Sequence, residues 1–158
     1  MNHKDKKEQD ASPRGVLIRE LIARFASDHL IGKKIKSGEL RKKLVEPPWN
    51  VPDGFHMESI EMEEFRMEWL TSVRQDLDMA LLQLHGGGYV GAMRNAYRVF
   101  AAAYSELGNG MPVLTIDYRV APEHPYPAAL EDAISAYHWL IGRGYDGKQI
   151  IVAGDSAG

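Results

Sequence analysis

Three apolar runs of five or six residues, at 79–84, 113–117 and 149–153, alternate with two segments whose apolar residues recur at helical spacing. Ala96, Val99, Phe100, Ala103, Tyr104 and Leu107 mark the first helix, which Gly108-Asn109-Gly110 stops. Leu130, Ala133, Ile134, Tyr137, Leu140 and Ile141 mark the second, with Pro127 near its first turn and Glu131-Asp132 near its positive end. Strands this short and this continuously apolar need cover on both faces. Strand–helix–strand–helix–strand therefore predicts a parallel sheet with helices on its faces, and the fold class is α/β.

Ahead of this unit, residues 57–62 and 65–70 read as two strands separated by Glu63-Glu64. Phe65, Met67 and Trp69 alternate with Arg66 and Glu68, the period of a half-buried strand, so an antiparallel hairpin is expected. Pro47-Pro48-Trp49-Asn50-Val51-Pro52-Asp53-Gly54 reads as a linker. Upstream of it, Val16, Leu17, Ile18, Leu21, Ile22 and Phe25 fall on one side of a helix that follows Ser12-Pro13, and a second short helix is expected at 39–45. These pieces are too few to form a core of their own. Residues 1–50 are thus expected to be a helical segment and linker, and residues 51–158 the α/β domain.

Composition narrows the function classes. The 158 residues are 44% hydrophobic and 26% charged, ordinary globular usage. Cysteine is absent, which excludes a disulfide framework, a thiolate metal site and a cysteine nucleophile. The net charge of −3 does not suggest a nucleic-acid binder, although residues 1–46 carry twelve Lys and Arg against seven Asp and Glu. That basic segment reads as a solvated helix face; the rival reading, an arm for nucleic acid or an anionic membrane, lacks aromatic interleaving and a known module. The charged start has no apolar run behind it, and no stretch approaches a membrane span, so a cytoplasmic protein without stable membrane insertion is expected. No residue cluster suggests a metal or an organic cofactor.

The chemistry lies at the ends of the strands. Gly154-Asp155-Ser156-Ala157-Gly158 is a G-x-S-x-G directly after the third run, the pattern of a nucleophile elbow. Small flanks let the chain turn sharply and leave the serine projecting where an imidazole can reach it. Alone the pattern is weak, because composition produces it by chance in roughly one chain in twenty of this length. His85-Gly86-Gly87-Gly88 after the first run is far rarer, roughly one chain in a thousand. Consecutive glycines can aim backbone N–H groups at an oxyanion without side-chain obstruction.

With Asp117-Tyr118-Arg119-Val120-Ala121-Pro122-Glu123-His124-Pro125-Tyr126-Pro127-Ala128-Ala129 between them, the block from His85 to Tyr89 and the block from Gly154 to Gly158 resemble the hormone-sensitive-lipase family of α/β-hydrolases, from about residue 56 onward. The resemblance implies the α/β-hydrolase fold, with a mostly parallel sheet flanked by helices. It also implies a serine carboxylic ester hydrolase that works through an acyl-enzyme on short or medium acyl esters. Ser156 would be the nucleophile, and the N–H groups of Gly87, Gly88 and Ala157 the oxyanion hole. His85 would orient the glycine loop, Tyr89 would border the acyl or alcohol pocket, and residues 118–129 would form a structural loop bracing the site. One bond of Ala121-Pro122 or Tyr126-Pro127 is expected cis. Residues 1–50 would contribute to a helical cap, and the partner would be a small-molecule ester.

One departure matters. In this fold the triad runs Ser…Asp/Glu…His, yet His3, His29, His56, His85, His124 and His138 all precede Ser156. The side chain of Asp155 is expected to leave the turn in another direction and makes a poor triad acid. The expectation is an amino-terminal half truncated after the elbow, lacking the acid and the His and inactive alone. The alternatives are an inactive fragment, or a non-catalytic small-ligand-binding homologue such as the plant gibberellin receptors, which resemble the same family.

Overall fold

The computed structural model describes residues 12–26, 30–37, 46–74 and 78–158. The chain divides into two compact units, Met1–Glu39 and Leu40–Gly158. In the first, α1 spans Pro13–Ala26 and α2 spans Leu30–Lys36. The Ser12 hydroxyl accepts the Gly15 N–H at 3.1 Å and its carbonyl accepts the Val16 N–H at 2.9 Å, so Ser12 caps α1 and Pro13 takes the first helical position. Leu17, Ile18 and Leu21 are exposed. The expected helix at 39–45 lies outside the described residues, and α2 stands where no helix was expected.

The second unit holds β1 (Phe55–Glu61), β2 (Arg66–Ser72), β3 (Ala80–Leu84), α3 (Asn95–Leu107), β4 (Val113–Asp117), α4 (Ala128–Gly142) and β5 (Ile150–Gly154). Every strand and helix expected here is present, with ends shifted by at most two residues. The sheet order is β1-β2-β4-β3-β5. β1 and β2 form the antiparallel hairpin, β2 runs antiparallel to β4, and β3 runs parallel to both β4 and β5.

Alternation sends the side chains to two cores. Ala80, Leu82, Leu114 and Ile116 point to the face covered by α4, where they meet Ala136 and Leu140. Leu81, Val113 and Leu70 point to the face covered by α3, against Ala101 and Ala102. Each of the large side chains contributes roughly 1.5–3 kcal/mol by leaving water.

Two expectations about burial need correction. β2 is not half-buried: Met67, Glu68, Trp69 and Leu70 are all buried, because β2 sits between β1 and β4 with a helix over the face that carries Glu68. On α3, the helical period was read correctly but not the face. Ala101, Ala102 and Ser105 are buried, while Val99, Phe100 and Leu107 are exposed, because small residues let the helix approach the sheet closely. β5 was expected at an open edge of the sheet, and it lies there: among the described residues it pairs with β3 alone, and Ile151 and Val152 are exposed.

Glu68 tolerates burial because Arg98 on α3 forks onto it, Nε to Oε2 at 2.7 Å and Nη2 to Oε1 at 2.6 Å. Replacing Arg98 by Met leaves that carboxylate buried and uncompensated. The expected loss is about 3 kcal/mol of unfolding free energy, read as a lower urea midpoint at unchanged slope. An unchanged midpoint would show that the pair contributes nothing to stability.

Candidate active site

Strand register assembles the site. Leu84 at the end of β3 pairs with Gly154 at the end of β5, so the loop beginning at His85 and the turn beginning at Asp155 emerge side by side. Both lie at the carboxyl ends of parallel strands, where this class of sheet presents its ligands.

The turn after β5 is strained. Ser156 has φ +54°, the left-handed region that a non-glycine residue seldom adopts. The flanking glycines are required by space. A Cβ on Gly154 would stand 2.3 Å from the carbonyl carbon of Gly158, and one on Gly158 would stand 2.2 Å from the carbonyl oxygen of Leu84. The turn is closed by the Gly158 N–H on the Asp155 carbonyl at 2.8 Å, and Ser156 is exposed. Among the described residues, no imidazole bonds the Ser156 hydroxyl.

The glycine loop turns on its own backbone, with the N–H groups of Val90 and Gly91 on the Gly87 carbonyl at 3.1 and 2.9 Å. Gly87 has φ +129° and Gly88 φ +63°. A Cβ on Gly87 would come 3.2 Å from the Gly91 Cα. Among the described residues, no acceptor takes the N–H of Gly87, Gly88 or Ala157. Tyr89 follows at φ +59°, half exposed, and its carbonyl accepts the Ala121 N–H at 2.7 Å. It borders a cavity of about 390 Å³ shared with Leu84, Tyr118, Ala129, Ala133 and Ala157.

His85 is fully buried beneath this loop. Its Nδ1 lies 2.8 Å from the Gly86 carbonyl, which makes Nδ1–H the donor, and Tyr118 stacks flat on the ring at 4.0 Å. The Tyr118 hydroxyl donates to the His85 carbonyl. Nε2 has no hydrogen-bond partner and stands 3.9 Å from Asp117 Oδ1. Burial holds the imidazole below its ordinary value near 6.5, against the opposing pull of the Gly86 carbonyl and of the Asp117 and Asp155 carboxylates. The ring is therefore neutral and sits under the loop as a wedge.

Several contacts of this region carry no mark in the sequence. Asp155 turns its carboxylate onto the glycine loop, where Oδ1 accepts the Gly86 N–H at 3.1 Å and the Tyr97 hydroxyl at 2.9 Å. The Asp117 carboxylate accepts the Met93 N–H at 3.1 Å. Glu46 caps α3 from outside it, with the Asn95 N–H at 2.5 Å and Arg94 Nε at 3.1 Å. The bond from Asn95 holds Glu46 below the ordinary carboxylate range. None of these was legible, because each joins residues at least twenty-four positions apart. The stretch from Tyr118 to Ala129 is anchored by Arg119, whose backbone N–H and guanidinium both bond the buried Asp132 at 2.7–3.1 Å. Both Ala121-Pro122 and Tyr126-Pro127 are cis, where one was expected.

Residues 81–158 match the family model described as alpha/beta hydrolase fold. Across 154 residues the chain is 34% identical to an acetyl-hydrolase of Streptomyces hygroscopicus, covering 94% of this chain and 48% of that protein. It is 38% identical over 82 residues to the hormone-sensitive lipase of Bos taurus, 49% of this chain and 11% of the lipase. A crystal structure of an esterase from the bacterial hormone-sensitive lipase family superposes with a TM-score of 0.60 at 32% identity, covering 80% of this chain and 47% of that one. The chain spans about half the length of the Streptomyces relative. No helix among the described residues is long and apolar enough to cross a membrane.

Proposed function

The chain belongs to the hormone-sensitive-lipase family of α/β-hydrolases, and from that premise we propose that it carries the nucleophile and oxyanion-binding half of a serine carboxylic ester hydrolase. The observation that carries the reading is the contact between Asp155 and the Gly86 N–H. It brings a strained, exposed serine beside a glycine loop in which the Gly87 and Gly88 N–H groups have no acceptor among the described residues. Ser156 Oγ attacks the ester carbonyl carbon as its proton passes to a general base, which later hands it to the leaving alcohol, and the carbonyl oxygen becomes an oxyanion held by the N–H groups of Gly87, Gly88 and Ala157. Collapse expels the alcohol, which takes up a proton, and water then releases the acid from the acyl-serine. His85 holds the glycine loop from below and is not the base, since its only free nitrogen faces Asp117. Tyr89 borders the acyl or alcohol side, and short or medium acyl esters are the substrates. No histidine follows Ser156 in these 158 residues, so the general base and its acid are assigned to no residue of this chain.

The test is fluorophosphonate labelling of the protein expressed from its complete reading frame, followed by peptide mass spectrometry. The label is expected on Ser156. A protein that turns over ester but labels elsewhere would overturn the assignment.

A further inference from the structure

The proposed oxyanion donors come from two loops far apart in sequence, so local geometry alone cannot set the distance between them. Between the loops lies one shared cluster. The Gly86 N–H faces Tyr97 Oη at 2.8 Å and Asp155 Oδ1 at 3.1 Å, and those two oxygens are 2.9 Å apart. An ionised carboxylate only accepts, so the Tyr97 O–H donates to Asp155 while its lone pair receives the Gly86 N–H. Gly86 adjoins Gly87, and Asp155 adjoins Ser156. We propose that Tyr97 and Asp155 are positioning residues that lock the glycine loop to the serine turn and so fix the gap between the Gly87 and Gly88 donors and the Ala157 donor.

The packing leaves little slack at this junction. A Cβ on Gly86 would stand 2.5 Å from Asp155 Oδ2 and 2.9 Å from the Asp155 carbonyl oxygen. Tyr97 is itself held, with its ring 5.6 Å from His85 and edge-on to Phe100 at 5.9 Å, on a helix seated against the sheet. The Tyr97 hydroxyl and Gly86 N–H also engage the Asp155 charge. Without them, that charge would lie one residue from the serine whose attack generates an oxyanion. Oxyanion stabilisation depends on donors already in place when charge develops. Loosening this lock should therefore act on the transition state and not on ester binding.

This inference rests on the nucleophile reading of Ser156, and the experiment separates the two. Tyr97→Phe, Asp155→Asn, their double variant and Ser156→Ala are made in the protein expressed from its complete reading frame. Each is assayed for kcat and KM on p-nitrophenyl butyrate, with Tm measured alongside. Tyr97→Phe keeps the ring and removes only the hydroxyl; its kcat is expected to fall about tenfold with KM within about twofold, a fraction of what losing a donor itself costs. Asp155→Asn is expected to behave likewise, and it carries the test should the tyrosine variant not fold. Because both residues act through one cluster, the double variant should lose no more kcat than the worse single variant. Unchanged kcat in Tyr97→Phe, a loss confined to KM, or a double variant equal to the product of the singles would each overturn the lock while Ser156 stands. Wild-type turnover in Ser156→Ala would overturn the nucleophile reading and this inference with it.

Discussion

Replacing Ser156 by Ala is expected to lower kcat for p-nitrophenyl butyrate by at least about 10⁴-fold in the protein expressed from its complete reading frame, with the fold intact. The size follows from the chemistry. In the proposed reaction the Ser156 hydroxyl oxygen forms the covalent bond to the acyl carbon, and the other side chain of the turn able to attack, the Asp155 carboxylate, is held by Gly86 and Tyr97. The preserved fold follows from the structure: Ser156 is exposed, and among the described residues no side-chain hydrogen bond is lost with its Oγ. The left-handed backbone at Ser156 is imposed by the turn and is as accessible to Ala as to Ser. Residual activity near wild type, with an unchanged circular dichroism spectrum, would remove Ser156 from the reaction.

Gly87→Val is expected to lower kcat by roughly 10²–10³-fold while changing KM by no more than a few-fold, the signature of a lost transition-state donor. Two independent obstacles act at this position. Gly87 sits at φ +129°, which a β-branched residue does not adopt, and its Cβ would press on the Gly91 backbone at 3.2–3.4 Å. The turn must then open, and with it the bonds from Val90 and Gly91 to the Gly87 carbonyl, which displaces the N–H groups proposed to hold the oxyanion. Ester binding, carried by other surfaces, is largely spared. A variant with normal kcat and raised KM would exclude Gly87 from the oxyanion hole.

Short-range patterns reached the structure intact. The runs at 79–84, 113–117 and 149–153 became β3, β4 and β5, since a short apolar run with helical segments on either side leaves no cheaper solution than a covered strand. Glycines at 87, 154 and 158 announced backbone requirements that the close approaches bear out. Burial was less legible. Period placed α3 but not its contact face, because Ala101, Ala102 and Ser105 are buried for their small size and not for their hydrophobicity. Glu68 read as a solvent-facing position because Arg98, which neutralises it, is thirty residues away.

The sequence by itself determined the α/β class, the order of elements and the two loops that carry the serine and the glycines, because each is written in contiguous residues whose conformational demands are local. Only the tertiary structure decided that those loops meet. The register pairing Leu84 with Gly154 brings His85 and Asp155 to one sheet end. Tyr97, on α3 and eleven residues after Gly86, then closes the cluster with Asp155, fifty-eight residues further on. The physical reason is that hydrogen bonds of this reach depend on how the sheet is ordered and how α3 seats on it, and no local spacing encodes either.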